Sequence, residues 1–182
     1  MISDLHFGHK NILKYSGALR GGTTVEEHDA WLLDQINSTV KKHDLLYILG
    51  DVAMERESLK LVKKIKAGNR ILVRGNHDIY DTREYLEYFA QVHGMISYKG
   101  TFWLTHCPIH PVELRGRLNI AGHIHQNSIK LPDGTLDNRY INACVEMTYG
   151  VPQNLDKLTE KYKPIVTRNR ELIKNGQTPL YI

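Results

Sequence analysis

Short apolar runs in this sequence end repeatedly in polar residues of the kind that bind metal ions or transfer protons. Residues 44–49 form one such run, which leads through a glycine to Asp51, and residues 70–74 lead into the segment 75–78 with the sequence Gly-Asn-His-Asp. Continuous apolar runs of this length are typical of buried strands in a parallel sheet. The ends of such strands lie along one edge of the sheet, where ligands bind. This recurrence restricts the chain to folds that gather many strand ends at one place.

Helical patterns alternate with strand patterns in the first half of the chain, and strands follow one another in the second half. Helices are predicted over about 24–41, where a capping box opens the pattern, over 57–67, over 82–90 and from Pro152 to about 162. Strands are predicted over 44–49, 70–74, 92–98, 101–106, 127–131 and 139–145, the last two flanking a Pro-Asp-Gly turn at 132–134. The tail from Lys163 is polar and fits no element. This order predicts an α/β fold with more than one sheet.

The composition fits one soluble domain over residues 1–182, with 163–182 as a candidate C-terminal extension. Of the 182 residues, 41% are hydrophobic and 24% are charged, and no apolar run approaches the roughly 20 residues that span a bilayer. No signal peptide pattern opens the chain, and two cysteines cannot form the disulfide framework of a small secreted domain. We therefore expect a cytoplasmic protein without membrane contact. The net charge of +4 favours anionic partners but is no nucleic-acid signature, and the oligomeric state stays open.

The polar residues at the predicted strand ends are carboxylates, imidazoles and amides. They are Asp4, His6, Asp51, Asn76, His77, His106, His123 and His125. Two divalent ions about 3.5 to 4 Å apart need such a mixture, with imidazoles for borderline transition ions and a carboxylate to bridge them. Any single histidine here is more simply an ordinary polar residue at a sheet edge. The set taken together indicates a two-metal hydrolase.

Five short motifs occur here in the order in which calcineurin-like metallophosphoesterases carry them. They are Asp4-Leu-His6, Gly50-Asp51, Gly75-Asn76-His77-Asp78, His106 and Gly122-His123-Ile-His125. The motifs extend from residue 4 to residue 125, about two thirds of the chain, and five in order are specific where one would be weak. The opening Asp-Leu-His-Phe-Gly-His resembles the small bacterial and phage-type branch of this superfamily.

The resemblance implies a ligand set, a general acid and a fold. One ion would be held by Asp4, His6, Asp51 and His125, and the other by Asp51, Asn76, His106 and His123, with Asp51 as the bridge. His77 would protonate the leaving oxygen, and Asp78 is a candidate to orient its ring. Asn76, His9 and Asn11 are candidate substrate contacts, although a loop histidine and a helix-starting asparagine need no function. The family fold is a four-layer αββα sandwich of two mixed β-sheets flanked by helices.

The activity that the resemblance implies is hydrolysis of a phosphate ester by a metal-bound hydroxide. The two cofactor ions would be divalent, namely manganese, iron, nickel or zinc. Protein phosphatases of this family carry Asp-Arg-Gly after the Gly-Asp motif, but here Val-Ala-Met-Glu follows Asp51 and the nearest arginine is Arg56. A small phosphodiester or phosphomonoester, including a nucleotide-derived one, is therefore the expected substrate, with a phosphodiesterase favoured over a protein phosphatase.

Two other functions compete with this interpretation. Some proteins of this fold have lost metal ligands and serve as non-catalytic binding modules, but here the ligand set and the general-acid histidine are complete. A nuclease acting on longer nucleic acid would need an extended basic groove and further domains, which 182 residues with a charge of +4 hardly provide.

Overall fold

The computed structural model describes residues 1–179 and contains two β-sheets flanked by helices, as the sequence predicted. The strands are β1 (Leu45–Ile48), β2 (Asn69–Val73), β3 (Gln91–His93), β4 (Ile96–Tyr98), β5 (Phe102–Leu104), β6 (Leu118–Ala121) and β7 (Tyr140–Asn142). The α-helices are α1 (Ile12–Ser16), α2 (Val25–Thr39), α3 (Thr82–Tyr85), α4 (Val145–Thr148) and α5 (Leu155–Lys174). Short 3-10 helices cover Gly17–Leu19, Arg56–Lys64 and Pro111–Leu114. Within residues 1–179, no helix combines the length and the apolar character that crossing a membrane requires.

The two sheets are built from consecutive parts of the chain. The first sheet has the order β1-β2-β3 and is parallel throughout. The second has the order β4-β5-β6-β7, with β4 antiparallel to β5 and the remaining pairs parallel. The carboxyl ends of the parallel strands are where the polar motifs of the sequence begin.

The N-terminal segment joins the two sheets through backbone hydrogen bonds. Ile2 bridges in parallel to Ile48 of β1, and Ser3 bridges in parallel to Cys144, just after β7. The Ile2 amide donates to the Tyr47 carbonyl at 3.1 Å, and the Ser3 carbonyl accepts from the amide of Val145 at 3.1 Å. The residues that follow Ser3 therefore emerge where the ends of both sheets meet.

Alternate residues of β1 belong to different apolar clusters. Leu46 and Ile48 pack in one cluster with Leu32 of α2. Tyr47 and Leu49 pack in a second cluster with residues of β5, β6 and α5. Because side chains alternate between the faces of a strand, β1 has apolar contacts on both sides. The apolar residues of the run 44–49 are continuous because both faces of β1 are covered in this way.

Helix α2 begins as its sequence predicted. The Thr24 hydroxyl accepts from the amide of Glu27 at 3.2 Å, while the Glu27 carboxylate accepts from the amide of Thr23 at 2.8 Å. These contacts satisfy backbone donors that the first turn leaves without partners. The buried face of the helix includes Leu32 and Ile36, which lie four residues apart as a helical stripe requires.

Two predicted strands in the second half are wrong in extent. The run 92–98 is divided between β3 and β4, which belong to different sheets and are separated by Gly94 and Met95. Here the chain crosses from one sheet to the other, so the two halves of the predicted strand pair with strands of different sheets. The predicted strand 127–131 forms only an isolated bridge between Lys130 and Leu136, across a turn closed by the Leu131 amide and the Thr135 carbonyl at 2.8 Å.

The predicted helix bounds near 82–90 and 152–162 also need correction. Helix α3 stops at Tyr85, and the next residues turn instead of continuing the helix. Helix α5 runs to Lys174, with Pro164 inside it, so residues of the unassigned tail are helical. Val166 is buried in the second cluster, and the Arg170 guanidinium donates to the Gly100 carbonyl. Residues 180–182 of the expected extension lie outside the described residues.

Replacing Val166 by alanine should destabilise the protein, because this side chain from the second half of α5 is only 2% exposed. We expect a loss of about 2 kcal/mol in the free energy of unfolding, from the lost transfer energy and the cavity left behind. Val112→Ala is the matched control, since Val112 is 68% exposed, and should change stability by less than about 0.5 kcal/mol. Urea unfolding of both variants measures the difference, and equal stabilities would show that α5 does not contribute to the core.

Candidate metal centre

Five of the predicted metal ligands adopt backbone conformations that residues other than glycine rarely adopt. Positive φ angles occur at Asp4 (60°), His6 (53°), Asp51 (51°), His123 (71°) and His125 (49°). Eight non-glycine residues within 1–179 share this property, so the predicted ligands account for most of them. Such conformations cost of order 1 kcal/mol or more each and persist only where the surrounding structure imposes them. The fold thus imposes unfavourable backbone conformations where the candidate ligands cluster.

The Asp4 carboxylate is buried with one oxygen fully engaged and the other without a partner. Its Oδ2 accepts from the amide of His123 at 2.9 Å and from the Cys144 thiol at 3.2 Å. Its Oδ1 has no hydrogen-bond partner among the described residues, although it is shielded from solvent. A buried carboxylate oxygen without a partner is costly unless a cation compensates it.

Glycines next to two carboxylates allow this close packing. A β-carbon at Gly122 would lie 2.2 Å from Asp4 Oδ2, and a β-carbon at Gly75 would lie 2.2 Å from Asp51 Oδ1. Both distances are far inside van der Waals contact. The motif glycines are therefore needed because any side chain there would displace a candidate ligand.

His6 lies between the two carboxylates. Its Nε2 is 3.7 Å from Asp4 Oδ1 and 3.8 Å from Asp51 Oδ2. Both ring nitrogens are buried and have no hydrogen-bond partner among the described residues. The ring stacks on that of His125, with centroids 5.2 Å apart, and Asp4, His6 and His125 offer ligand atoms within 4.8 Å of one another. These unsatisfied atoms fit a first divalent ion.

Three ligand atoms converge more tightly on the other side of Asp51. Asn76 Oδ1 lies 2.8 Å from His106 Nε2 and 2.9 Å from His123 Nδ1, and the two ring nitrogens are 3.2 Å apart. His106 Nε2 is also 3.4 Å from Asp51 Oδ2. Ligands bound about 2.1 Å from a common ion lie about 3 Å apart when their bonds are at right angles. The observed separations fit a second divalent ion.

The tautomer of His106 indicates that a positive charge belongs between its Nε2 and Asn76 Oδ1. Its Nδ1 lies 2.8 Å from the Leu49 carbonyl oxygen, which can only accept, so Nδ1 carries the proton. Nε2 of the neutral ring then presents a lone pair toward Asn76 Oδ1, which is also an acceptor. Two acceptors 2.8 Å apart are favourable only with a cation or a proton between them.

The pKa shifts of the carboxylates agree with this charge distribution. Burial alone raises the pKa of Asp4, but the neighbouring His6 and His106 rings lower it more, so the pKa lies well below its usual range. Burial also opposes ionisation of Asp51, but His106 and the amide of His77 bring its pKa below the usual value. In the opposite sense, burial lowers the pKa of His106 while Asp51 and Asp4 raise it above its ordinary value. The carboxylates are therefore ionised and the site attracts positive charge.

Arg20 and Glu146 form a buried ion pair that sequence reasoning missed. The Arg20 Nε donates to Glu146 Oε1 at 2.9 Å, and both side chains are completely buried. The same carboxylate oxygen lies 2.9 Å from Nδ1 of His125, which leaves the other ring nitrogen for an ion. Burial opposes ionisation, but His125 and Arg20 together lower the pKa of Glu146 to about 2. A carboxylate behind a ligating histidine orients its ring and raises its basicity.

The Arg20 guanidinium also holds the backbone that carries the first ligands. It donates to the carbonyls of Asp4 at 2.8 Å and Leu5 at 3.2 Å. The nitrogen that donates to Leu5 also lies 3.2 Å from His28 Nε2, and the opposite nitrogen of that ring contacts Asp29 at 3.0 Å. Arg20 and Glu146 are 126 residues apart in the chain, and no motif joins them, so only the folded structure reveals the pair.

The structure corrects the expected role of Asp78. Its carboxylate accepts from three backbone amides, those of Gly75 at 2.8 Å, Asp51 at 2.9 Å and Val52 at 3.0 Å, and not from the ring of His77. It therefore joins the loop after β1 to the loop after β2. Because the buried carboxylate accepts from these backbone amides, it positions the backbone of Asp51 and does not orient the ring of His77.

The remaining predicted site residues lie at the rim. The His77 ring is exposed, with its centroid 5.8 Å from that of His6, and its amide donates to Asp51 Oδ1 at 2.9 Å. The His9 ring lies 5.5 Å from that of His6 and accepts from the amide of Asn11 at 3.1 Å. Asn11 is exposed at the start of α1, and its side chain makes no capping hydrogen bond.

Comparison with known proteins gives one family and several uncharacterised relatives. The profile of the calcineurin-like phosphoesterase superfamily domain matches residues 1–143. An uncharacterized protein of Methanocaldococcus jannaschii is 32% identical over 179 residues, covering 93% of this chain and 95% of that protein. The gene 66 protein of Mycobacterium phage L5 is 36% identical over 81 residues, 42% of this chain and 37% of the phage protein. The crystal structure of an Aquifex aeolicus protein of unknown function superimposes with a TM-score of 0.67 at 28% identity, covering 88% and 96% of the two chains.

Glu146→Gln should weaken both folding and metal binding, because it leaves the buried charge of Arg20 without its partner. We expect a loss of about 3 to 5 kcal/mol in the free energy of unfolding and about a 10- to 100-fold lower metal affinity. Glu113→Gln is the matched control, since Glu113 and its partner Arg115 are both exposed, and should change neither quantity appreciably. Denaturation of the metal-free variants and calorimetric titration with Mn²⁺ give the two readouts. An unchanged affinity in a folded Glu146→Gln variant would exclude the role assigned to this carboxylate.

Proposed function

This chain belongs to the calcineurin-like phosphoesterase superfamily, and from that premise we propose that it hydrolyses a small phosphodiester with the help of two divalent metal ions. The observation that carries the proposal is the convergence of Asp4 and Asp51, two buried ionised carboxylates, with unsatisfied or closely spaced histidine nitrogens. A binding module would not need this arrangement, in which bound cations would help to offset the unfavourable backbone conformations and the buried atoms without partners.

The proposed ligands form two groups that share one carboxylate. One group consists of Asp4, His6, Asp51 and His125, and the other of Asp51, Asn76, His106 and His123. Asp51 suits the shared position because its Oδ1 is held by the amide of His77, while its Oδ2 faces the rings of His6 and His106. Imidazoles together with carboxylates favour Mn, Fe, Ni or Zn over Ca.

Two divalent ions, when bound, polarise phosphoryl oxygens and lower the pKa of water in such sites. The protein supplies the remaining chemistry. His77 is the proposed proton donor to the leaving oxygen, because its exposed ring faces the opening beside His6 while its amide is fixed to Asp51. Asp78 holds the loops of both motifs through three amides and so keeps His77 next to the site.

The surroundings of Arg56 support a small ester over a phosphoprotein. The Arg56 guanidinium pairs with Glu84 at 3.1 Å and lies 4.9 Å from the centre of the Tyr80 ring. It is therefore engaged at the surface and does not replace the phosphate clamp of the protein phosphatases. A diester has one negative charge on the phosphate, so it needs less positive charge for binding than a monoester does.

Asp51→Asn should lose metal at both positions together, because one carboxylate is proposed to neutralise charge on two ions. We expect fewer than two ions per chain by elemental analysis and loss of Mn²⁺-dependent hydrolysis of bis-para-nitrophenyl phosphate. Asp133→Asn, in an exposed turn, is the control and should retain both ions and full activity. Two ions bound at wild-type affinity in Asp51→Asn would remove the bridge, and hydrolysis that persists in a chelator would overturn the metal-dependent function itself.

His77→Asn should slow hydrolysis while leaving fold and metal content unchanged, since the ring is exposed and the proposed ligands do not include it. Loss of a general acid typically lowers the rate about 10²- to 10⁴-fold. The loss should be larger for an alkyl diester than for a para-nitrophenyl diester, because nitrophenolate departs almost without protonation. His43→Asn serves as the control, because His43 is 80% exposed and does not belong to the site. Equal losses on both substrates would mean that His77 positions the phosphate and does not donate the proton.

A further inference from the structure

A groove with a cavity volume of about 260 Å³ opens directly beside the candidate metal centre. Three of its lining residues, His6, His77 and His125, are ones already assigned to the centre. The groove then continues away from these histidines to Tyr15 and Asn127. Since the proposed proton donor lines the same space, a group esterified to a phosphate at the centre would extend into this groove.

The far wall of the groove presents an aromatic face. Tyr15 lies on α1, is 67% exposed, and contacts the His9 ring edge-on, with centroids 6.4 Å apart. Ile12, one turn earlier on the same helix, is only 3% exposed and lines the groove as well. The Tyr15 ring thus has most of its surface available, next to an apolar residue that is already fixed in place. Such a ring is a stacking platform for a flat aromatic group.

Size and polarity restrict what the groove can take. A volume of about 260 Å³ lies just below the range of about 300 to 1,000 Å³ that is usual for ligand pockets. It therefore has room for about one ring system. Gln126 and Asn127 line the groove too, and their amides both donate and accept hydrogen bonds. An aromatic platform with amides nearby suits a nucleobase, which has flat faces and polar edges.

We propose that this groove binds the nucleobase of a mononucleotide ester, stacked on Tyr15, while the phosphate lies at the metal centre. The inference rests on the proposed function and narrows its substrate to small nucleotide-type esters. Tyr15 is then a specificity-determining residue that recognises the substrate without taking part in the chemistry. His9 supports the platform through its ring contact, which gives the sequence-predicted substrate residue a structural role beside Tyr15.

Calorimetric titration of the Mn²⁺-loaded protein with two matched ligands tests this. Adenosine 5′-monophosphate and ribose 5-phosphate share the phosphate and the sugar and differ in the base alone. Stacking of a base on an aromatic side chain corresponds to about a 5- to 150-fold gain in affinity, so the mononucleotide should bind more tightly by a factor in this range. Tyr15→Ala should abolish the difference, and Tyr15→Phe should preserve it. Tyr149→Ala, at a tyrosine of 66% exposure that does not line the groove, should also preserve it.

The outcomes of this titration and of the hydrolysis assay distinguish failure of the groove proposal from failure of the proposed phosphoesterase function. Equal affinities of the two ligands for the wild-type protein would overturn the groove proposal while leaving the phosphoesterase function intact. A preference for the mononucleotide that survives in Tyr15→Ala would place the base elsewhere and overturn it as well. Failure of both phosphomonoesters to bind, with metal present, would also overturn the groove proposal, whereas the proposed diester hydrolysis is tested separately by Mn²⁺-dependent hydrolysis of bis-para-nitrophenyl phosphate. Circular dichroism of Tyr15→Ala checks the fold, which should be unaffected because the side chain is mostly exposed.

Discussion

The segment from Ile2 to Phe7 is hydrogen-bonded to both sheets, and the rest of the site depends on this connection. Its amides donate to carbonyls along residues 47–52, and Ser3 pairs with residues after β7. Asp4 and His6 therefore lie beside Asp51 at the end of the first sheet and beside His123 at the end of the second. A displacement of this segment along either sheet would separate the two carboxylates, so the distances within the site are set by backbone pairing.

Burial of the Glu146 carboxylate is tolerated because Arg20 and His125 contact it, in a network that also reaches the backbone of Asp4. Arg20 contacts the carbonyl of Asp4 and the carboxylate of Glu146, which in turn holds His125. The network joins the first loop, the loop after β6 and helix α4. Breaking one partner of a buried pair leaves an uncompensated charge, so the two partners hold each other in place even where the pair adds little net stability. The same contacts that fix the fold thus fix the ring orientation of a candidate ligand.

The sequence predicted that the candidate ligands lie close together more accurately than it predicted the bounds of the elements around them, and the role of these residues as ligands stays a prediction. Asp51 and His123 could be located because each follows a buried strand, in one sheet and in the other, and the resemblance of the motif order to that of the family grouped them with Asp4. Helix α5 was predicted too short because Pro164 and the polar residues after it disfavour a helix locally, while the burial of Val166 and the contact of Arg170 with Gly100 stabilise it. Residues 92–98 look like one strand, but no local signal shows that the chain changes sheets at Gly94. Arg20 and Glu146 were missed because their pairing is purely long-range.

The arrangement of the sheets along the chain has a consequence for folding. Residues 45–93 contain the whole of the first sheet and residues 96–142 the whole of the second, so each sheet needs only contacts within a short stretch of sequence. The N-terminal segment, in contrast, closes a loop of about 45 residues when Ile2 pairs with Ile48 and one of about 140 residues when Ser3 pairs with Cys144. Closing the longer loop costs more entropy, and contacts at such separation form slowly. We expect the pairing of Ser3 with Cys144 to form after both sheets, so that a complete candidate site, which needs this pairing, marks the arrival of the chain at its native topology.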